Sequence, residues 1–252
     1  SMIEIPEMSD KELKDSIQWE ARRYVPLPLE EVTLSWSVYR ELAPTTHKFK
    51  VLLTAVPTSV VENYLKTFKL AGLKLVALEI EALALIRSLV GSKKDAVIII
   101  DLGARNTSLN VVDNGFLRLS RNLSVGGENI TTSIAQGLKV STERAEQFKK
   151  DLGLADQLKD QIPRAIRSPM DTIKNETAQL INIYESSGGQ IQEIVFTGLG
   201  SGLPGLVNYF SDFGPRVSLG DPLQFINYDA RLKPNLTRIS PALSIAIGLA
   251  MR

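Results

Sequence analysis

The residues that could do chemistry are concentrated in one stretch, Asp101-Leu102-Gly103-Ala104-Arg105-Asn106-Thr107-Ser108. It follows an apolar run, Ala96 to Ile100, whose mostly β-branched residues read as a strand buried on both faces. A tight turn after that strand brings backbone N–H groups and the hydroxyls of Thr107 and Ser108 to one spot beside Asp101. Hydroxyls and N–H groups suit a phosphate, and an acid beside them suits a metal-bound water. The same residues equally suit a plain β-hairpin in which Asp and Asn only shape the turn.

A second stretch has comparable potential. The apolar segment Ile194-Val195-Phe196-Thr197 runs into Gly198-Leu199-Gly200-Ser201-Gly202-Leu203-Pro204-Gly205. A strand feeding a glycine-rich turn is one way to lay backbone against a nucleotide. Asp221 lies at a suitable distance for a dinucleotide fingerprint. The spacing fails, because the last glycine of G-x-G-x-x-G falls on Leu203 and the glycine stands at Gly202.

Composition removes several alternatives. The 252 residues carry a net charge of +1, with 44% hydrophobic and 23% charged residues. That is a globular composition with no basic footprint for nucleic acid. Cysteine is absent, which excludes disulfides, thiolate catalysis and zinc–sulfur sites and fits a reducing cytosol. No apolar run approaches the roughly 18 residues of a membrane helix. The single histidine, His47, lies in a polar stretch and reads as surface decoration. Ser1-Met2 is set aside as a leftover of cloning.

The elements that must position these stretches follow from patterning. Ser9 to Glu12 is a capping box opening a helix with Leu13, Ile17 and Ala21 on one face, ended by Pro26 and Pro28. Val32, Leu34, Trp36 and Val38 alternate as a half-buried strand, and Phe49 to Ala55 is its antiparallel neighbour. A second capping box, Ser59 to Glu62, starts a helix closed by Gly72. Leu73, Leu75 and Ala77 predict a third strand, so residues 3–78 read α-β-β-α-β. Glu79 to Leu89 is helical. Strands 96–101, 107–113 and 116–123 follow, with Asp113-Asn114-Gly115 as a hairpin turn. Gly126-Gly127-Glu128 opens a helix, and Ser141 caps another through Lys150. Residues 155–187 are helical in pattern but cut at Pro163 and Pro169. Ser240-Pro241 opens a last, apolar and buried helix through Met251.

Taken in order, several pieces resemble the actin-like ATPase superfamily (FtsA-like), and within it the PilM family of type IV pilus assembly proteins. They are Ile5-Pro6-Glu7-Met8-Ser9, Trp19 to Pro26, Asp101 to Thr107, Val125-Gly126-Gly127-Glu128, Thr197 to Gly200, and Ala246 to Arg252. The resemblance implies an α/β (α+β) fold, with residues 3–91 as a small inserted subdomain plus a connecting helix. Residues 92–252 would be the nucleotide-binding half, with a helical insertion at about 152–189. It implies ATP or ADP with Mg as cofactor. Asp101 would face the metal, and Gly103, Asn106, Thr107 and Ser108 the phosphates. Gly127 would approach the nucleotide. Glu146 and Lys149 would line ribose and adenine, although their spacing of three also fits an intrahelical ion pair. Gly198, Gly200 and Ser201 would form the adenosine loop, with Leu199 where relatives carry glycine.

The superfamily's first phosphate loop, Asp-x-Gly followed by Ser or Thr and Lys, has no counterpart before Asp101. The chain is therefore expected to begin where the small inserted subdomain begins, to bind nucleotide weakly and to hydrolyse it poorly. The implied role is a cytoplasmic scaffold, peripheral to the inner membrane. It would dock the N-terminal cytoplasmic tail of a PilN-like pilus protein, with the Ser9–Arg23 helix and the Val32–Val38 sheet as one wall. An apolar patch left bare there would favour self-association. The alternatives are an active ATPase or phosphotransferase of the same fold, or the cytoplasmic domain of a type II secretion protein.

Overall fold

The computed structural model describes residues 2–39, 48–154 and 162–252. The chain divides into two compact units, Ser1–Ile80 and Glu81–Arg252. His47 lies outside the described residues.

In the first unit, strands β1 (Met2–Pro6), β2 (Val32–Tyr39) and β3 (Lys48–Pro57) form an antiparallel sheet in the order β1-β3-β2. Helix α1 (Asp10–Tyr24) lays Leu13, Ile17 and Ala21 on Ile3, Ile5, Val51 and Leu53. The capping box is present: Ser9 accepts from the Glu12 N–H, and the Glu12 carboxylate accepts from the Ser9 N–H at 3.0 Å. The third strand is not the expected one. Residues 73–80 form no strand, and Leu73 and Val76 are 61% and 87% exposed. Met2–Pro6 takes that place because Ile3 and Ile5 alternate inward, pairing with Val51 and Phe49. Met2 is thus part of the fold. Helix α2 (Thr58–Leu70) begins directly after Pro57 with no side-chain cap. Strand β3 runs to Pro57 itself, so the chain enters the helix at Thr58 and carries Ser59 past the capping position.

The second unit opens with α3 (Glu81–Leu85), continued by one wide helical turn, Ile86–Val90. Its sheet has the order β6-β5-β4-β7-β8, from β4 (Val97–Leu102), β5 (Thr107–Asp113), β6 (Phe116–Leu123), β7 (Glu193–Thr197) and β8 (Arg216–Leu219). β4, β5 and β6 are an antiparallel meander, while β7 and β8 run parallel to β4. Ile98, Ile99 and Ile100 are fully buried, as a strand covered on both faces requires. Asn114 and Gly115 take φ values of 52° and 77°, which fits the tight hairpin turn.

Helices α4 (Gly127–Leu138), α5 (Thr142–Asp151) and α6 (Ile162–Ser186) connect the meander to β7. Ile130, Ile134, Ile166, Met170, Ile173 and Leu180 pack with Ile98, Ile100 and Leu109 in one core. Residues 155–161 lie outside the described residues, but from Ile162 the helix is unbroken through Pro169. Proline removes one N–H there, and the apolar row of Ile166, Met170 and Ile173 outweighs that loss.

Short helices α7 (Leu206–Tyr209), α8 (Lys233–Ile239) and α9 (Ser244–Ala250) complete the chain. Ser240 does not cap α9; its hydroxyl donates to Thr237 O, and Ser240–Leu243 is a tight 3₁₀ turn. Nor is α9 buried all round. Ser244 and Gly248 are buried, while Leu249 is 47% exposed. A Cβ on Gly248 would lie 1.9 Å from Ala84 O, so the small residue permits close crossing with α3.

Candidate functional site

The turn after β4 is closed by the Gly103 N–H donating to Asn106 O at 3.0 Å. A side chain at Gly103 would bring a Cβ within 2.8 Å of that oxygen. The N terminus of α4 docks on the same turn. Gly127 N–H donates to Gly103 O at 2.9 Å and Glu128 N–H to Ala104 O at 2.7 Å. A Cβ on Gly126 would lie 2.6 Å from Ala104 O, which explains the glycine there. The first donors of α4 are therefore engaged by protein carbonyls rather than turned to the cleft.

Thr107 departs from the sequence expectation. It is fully buried, and its hydroxyl donates to Val125 O at 2.6 Å. It ties β5 to the segment entering α4. Ser108 accepts from the Asn110 amide at 3.1 Å. Asp101, Asn106 and Ser108 line a polar cavity of about 710 Å³ together with Glu81, Arg105 and Glu128. Burial, helped by the Glu81 carboxylate, pushes the Asp101 carboxyl up to about 6.

On the other side of the Gly103-Ala104 turn, α5 faces α4. Glu146 and Lys149 form an ion pair of 2.6 Å, so the i,i+3 pair is present. It is also tied to the neighbouring helix. The Thr131 hydroxyl is 2.6 Å from Glu146 Oε2 and accepts from Lys149 Nζ at 2.8 Å. Lys149 further donates to Gly127 O at 3.2 Å. Burial works to raise the Glu146 carboxyl, and the hydrogen bonds and charge of Lys149, with Thr131, hold it below its usual range.

The glycine-rich turn after β7 sits against the end of β4. Gly198 has φ +85°, and a Cβ there would lie 2.2 Å from Asp101 Oδ1. At Gly200 a Cβ would lie 2.9 Å from Leu102 O. Both glycines thus serve close packing inside the protein. Ser201 is buried and its hydroxyl donates to Gly198 O at 2.7 Å, away from the expected ligand role. The Thr197 hydroxyl is shared between Pro241 O and the Ser244 hydroxyl, each at 2.7 Å. Gly198 N–H also donates to Pro241 O. This anchors the turn to the start of α9.

Between these three features lies a cavity of about 460 Å³. Gly103, Gly127, Glu146, Lys149 and Gly200 line it, with Thr131, Lys150, Leu199, Gly202 and Leu203. It adjoins the polar cavity through Gly103, Ala104 and Glu128, which line both. Thr107, Gly198 and Ser201 line neither. Apolar walls with a carboxylate and an ammonium suit a flat heterocycle bearing hydroxyls. Among the described residues no group of three or more acidic or histidine side chains could hold a metal. A cation at Asp101 would therefore have to arrive with oxygen ligands of its own, as magnesium does on phosphates. No described helix is long and apolar enough to cross a membrane.

Sequence reading missed Thr131, Lys150, Gly202 and Glu81. Thr131 carries no signal in Ile130-Thr131-Thr132-Ser133, and only the packing of α4 on α5 gives it a partner.

Comparison with known proteins places the chain. The family model described as type IV pilus assembly protein PilM matches residues 2–252. Cell division protein FtsA of Bacillus subtilis is 37% identical over 106 residues, 41% of this chain and 24% of that protein. The FtsA of Streptococcus pneumoniae is 28% identical over 201 residues, 69% of this chain and 43% of that protein. The chain thus spans less than half the length of these relatives. Among solved structures, a PilM-PilN type IV pilus biogenesis complex superposes with a TM-score of 0.86 at 25% identity. The match covers 100% of this chain and 75% of that one. MreB5 of Spiroplasma citri bound to AMPPNP gives 0.56 at 16% identity over 77% of this chain and 63% of that one, a likeness of fold.

Proposed function

Because this chain belongs to the family of the type IV pilus assembly protein PilM, we propose that it acts as a scaffold of pilus assembly with an adenine-nucleotide cleft in its second unit. The carrying observation is the 460 Å³ cavity between the Gly103 turn, the Glu146–Lys149 pair and the Leu199–Leu203 turn. The nucleotide-bound MreB5 neighbour supports the reading. In this proposal Glu146 and Lys149 hold the ribose-and-base end, and Thr131 fixes their orientation. Gly202 leaves room for backbone contact, since a Cβ there would meet nothing within 4 Å, and Gly127 lines the same cavity beside Lys149 Nζ. Asn106 and Ser108 face the phosphate end. A bound nucleotide would bring a charged phosphate tail with magnesium neutralising it, and Asp101 would be the carboxylate that faces that ion.

The first unit is the proposed dock for the N-terminal cytoplasmic tail of a PilN-like protein, a partner suggested by the PilM-PilN neighbour. Through that tail the scaffold would stay peripheral to the inner membrane. Titration calorimetry with ADP tests the cleft. Saturable binding is expected, and Lys149→Ala should weaken it about tenfold or more, because a charge-assisted hydrogen bond is lost. Equal affinity for both chains, or no binding by either, contradicts the assignment.

A further inference from the structure

Sheet edges invite strand addition unless they are short, charged, bulged or interrupted by proline. Three of the four edges in the described sheets are guarded in this way. β1 has five residues and carries Glu4 and Pro6. β6 carries Arg118 and Arg121, and its pairing with β5 slips at Val111/Val112. β8 has four residues, including Arg216.

The fourth edge is different. β2 is eight residues long, Val32-Thr33-Leu34-Ser35-Trp36-Ser37-Val38-Tyr39, without a charge, proline or glycine. It pairs with β3 alone among the described strands. Its apolar row is also unfinished. Trp36 and Val38 are half-buried, while their partners on β3, Leu53 and Val51, are 3% and 0% exposed. The face that α1 covers therefore stays open along the outer side of β2.

The strand is self-complementary about Ser35. Turned antiparallel on itself, it sets Val32 against Val38, Leu34 against Trp36, Thr33 against Ser37, and Ser35 against Ser35. Apolar residues meet apolar ones on one face and hydroxyls meet hydroxyls on the other, as favourable cross-strand pairs require. The Thr33 hydroxyl shares a hydrogen bond of 3.3 Å with the Thr58 hydroxyl. Self-complementarity of one patch is the condition for a two-fold interface. We propose that β2 pairs with β2 of a second copy across a two-fold axis at Ser35, joining two three-stranded sheets into one continuous sheet. The second copy is the occupant chosen because the strand's pattern matches its own reverse and offers no charge to select a different partner. One strand pair is a small interface, so the dimer should exchange with monomer as concentration changes. This pairing is independent of the nucleotide cleft.

Sedimentation velocity over a concentration series tests it, using the chain, Ser35→Lys, Ser35→Glu and an equimolar mixture of the two variants. Ser35 is exposed, so both variants should keep the fold, which circular dichroism checks. The unsubstituted chain should pass from monomer to dimer. Each variant, facing its own charge, should dimerise about tenfold or more weakly, and the mixture should recover the dimer. A chain that stays monomeric throughout, folded variants that dimerise undiminished, or a mixture that stays monomeric would each overturn the proposal. The first of these outcomes would leave the edge to an extended segment of another protein.

Discussion

At the scale of single residues, Asp101 shows what the site costs. Its carboxyl is held at about 6 by burial and by Glu81. The folded chain therefore keeps a proton that the unfolded chain releases near 4. Between those values stability falls as pH rises, because the native state binds more protons. Above about pH 6 the penalty is complete. Asp101→Asn should thus stabilise the fold by up to about 3 kcal/mol at pH 8. The gain should shrink as pH drops from 6 towards 4. Urea denaturation at pH 8 and pH 4.5 measures both, and a gain independent of pH would show that the carboxyl is not the cause. A positive ion bound nearby would relieve the same penalty, which links this cost to the proposed magnesium. The acid at the end of a buried strand was legible from the sequence. The roles of Gly198 and Gly200 were not, since a glycine that packs on Leu102 looks the same as one that admits a ligand.

At the scale of elements, α4 joins the two sides of the cavity. Its N terminus is fixed by the Gly103 and Ala104 carbonyls, and its C terminus ends on Lys139 with φ 53° and ψ 46°. A left-handed conformation at a residue with a Cβ costs roughly 1 kcal/mol, and glycine removes most of that. Lys139→Gly should therefore raise stability by about 0.5–1 kcal/mol, read from the denaturation midpoint. A loss of stability instead would mean that the lysine side chain holds the helix end. Elements with strong local signals were legible: the Ser9 and Ser141 caps, the Asn114-Gly115 turn and the isoleucine strand all form. The misreadings came where tertiary structure overrode local pattern. The alternation at residues 73–77 stayed out of the sheet because Ile3 and Ile5 supplied a better-buried strand. Pro169 did not break α6, because the helix's apolar row continues on either side of it.

At the scale of the whole molecule, chain segments far apart in sequence meet in one sheet. β4 and β7 are parallel neighbours, pairing Asp101 with Thr197. That pairing sets the Asp101 turn and the Gly198 turn side by side at the same end of the sheet, and α4 and α5 complete the cavity beside them. A parallel pairing across some 90 residues has no local signature, so the sequence could reach it only through the order of its motifs. The central claim, that this cavity holds an adenine nucleotide, is tested most directly by hydrogen–deuterium exchange with and without saturating ADP. With ADP bound, exchange should slow in residues 103–106, 127–131, 146–150 and 199–203, with the first unit unaltered. Protection confined to the first unit, or no change at these four segments while ADP is demonstrably bound, would contradict it.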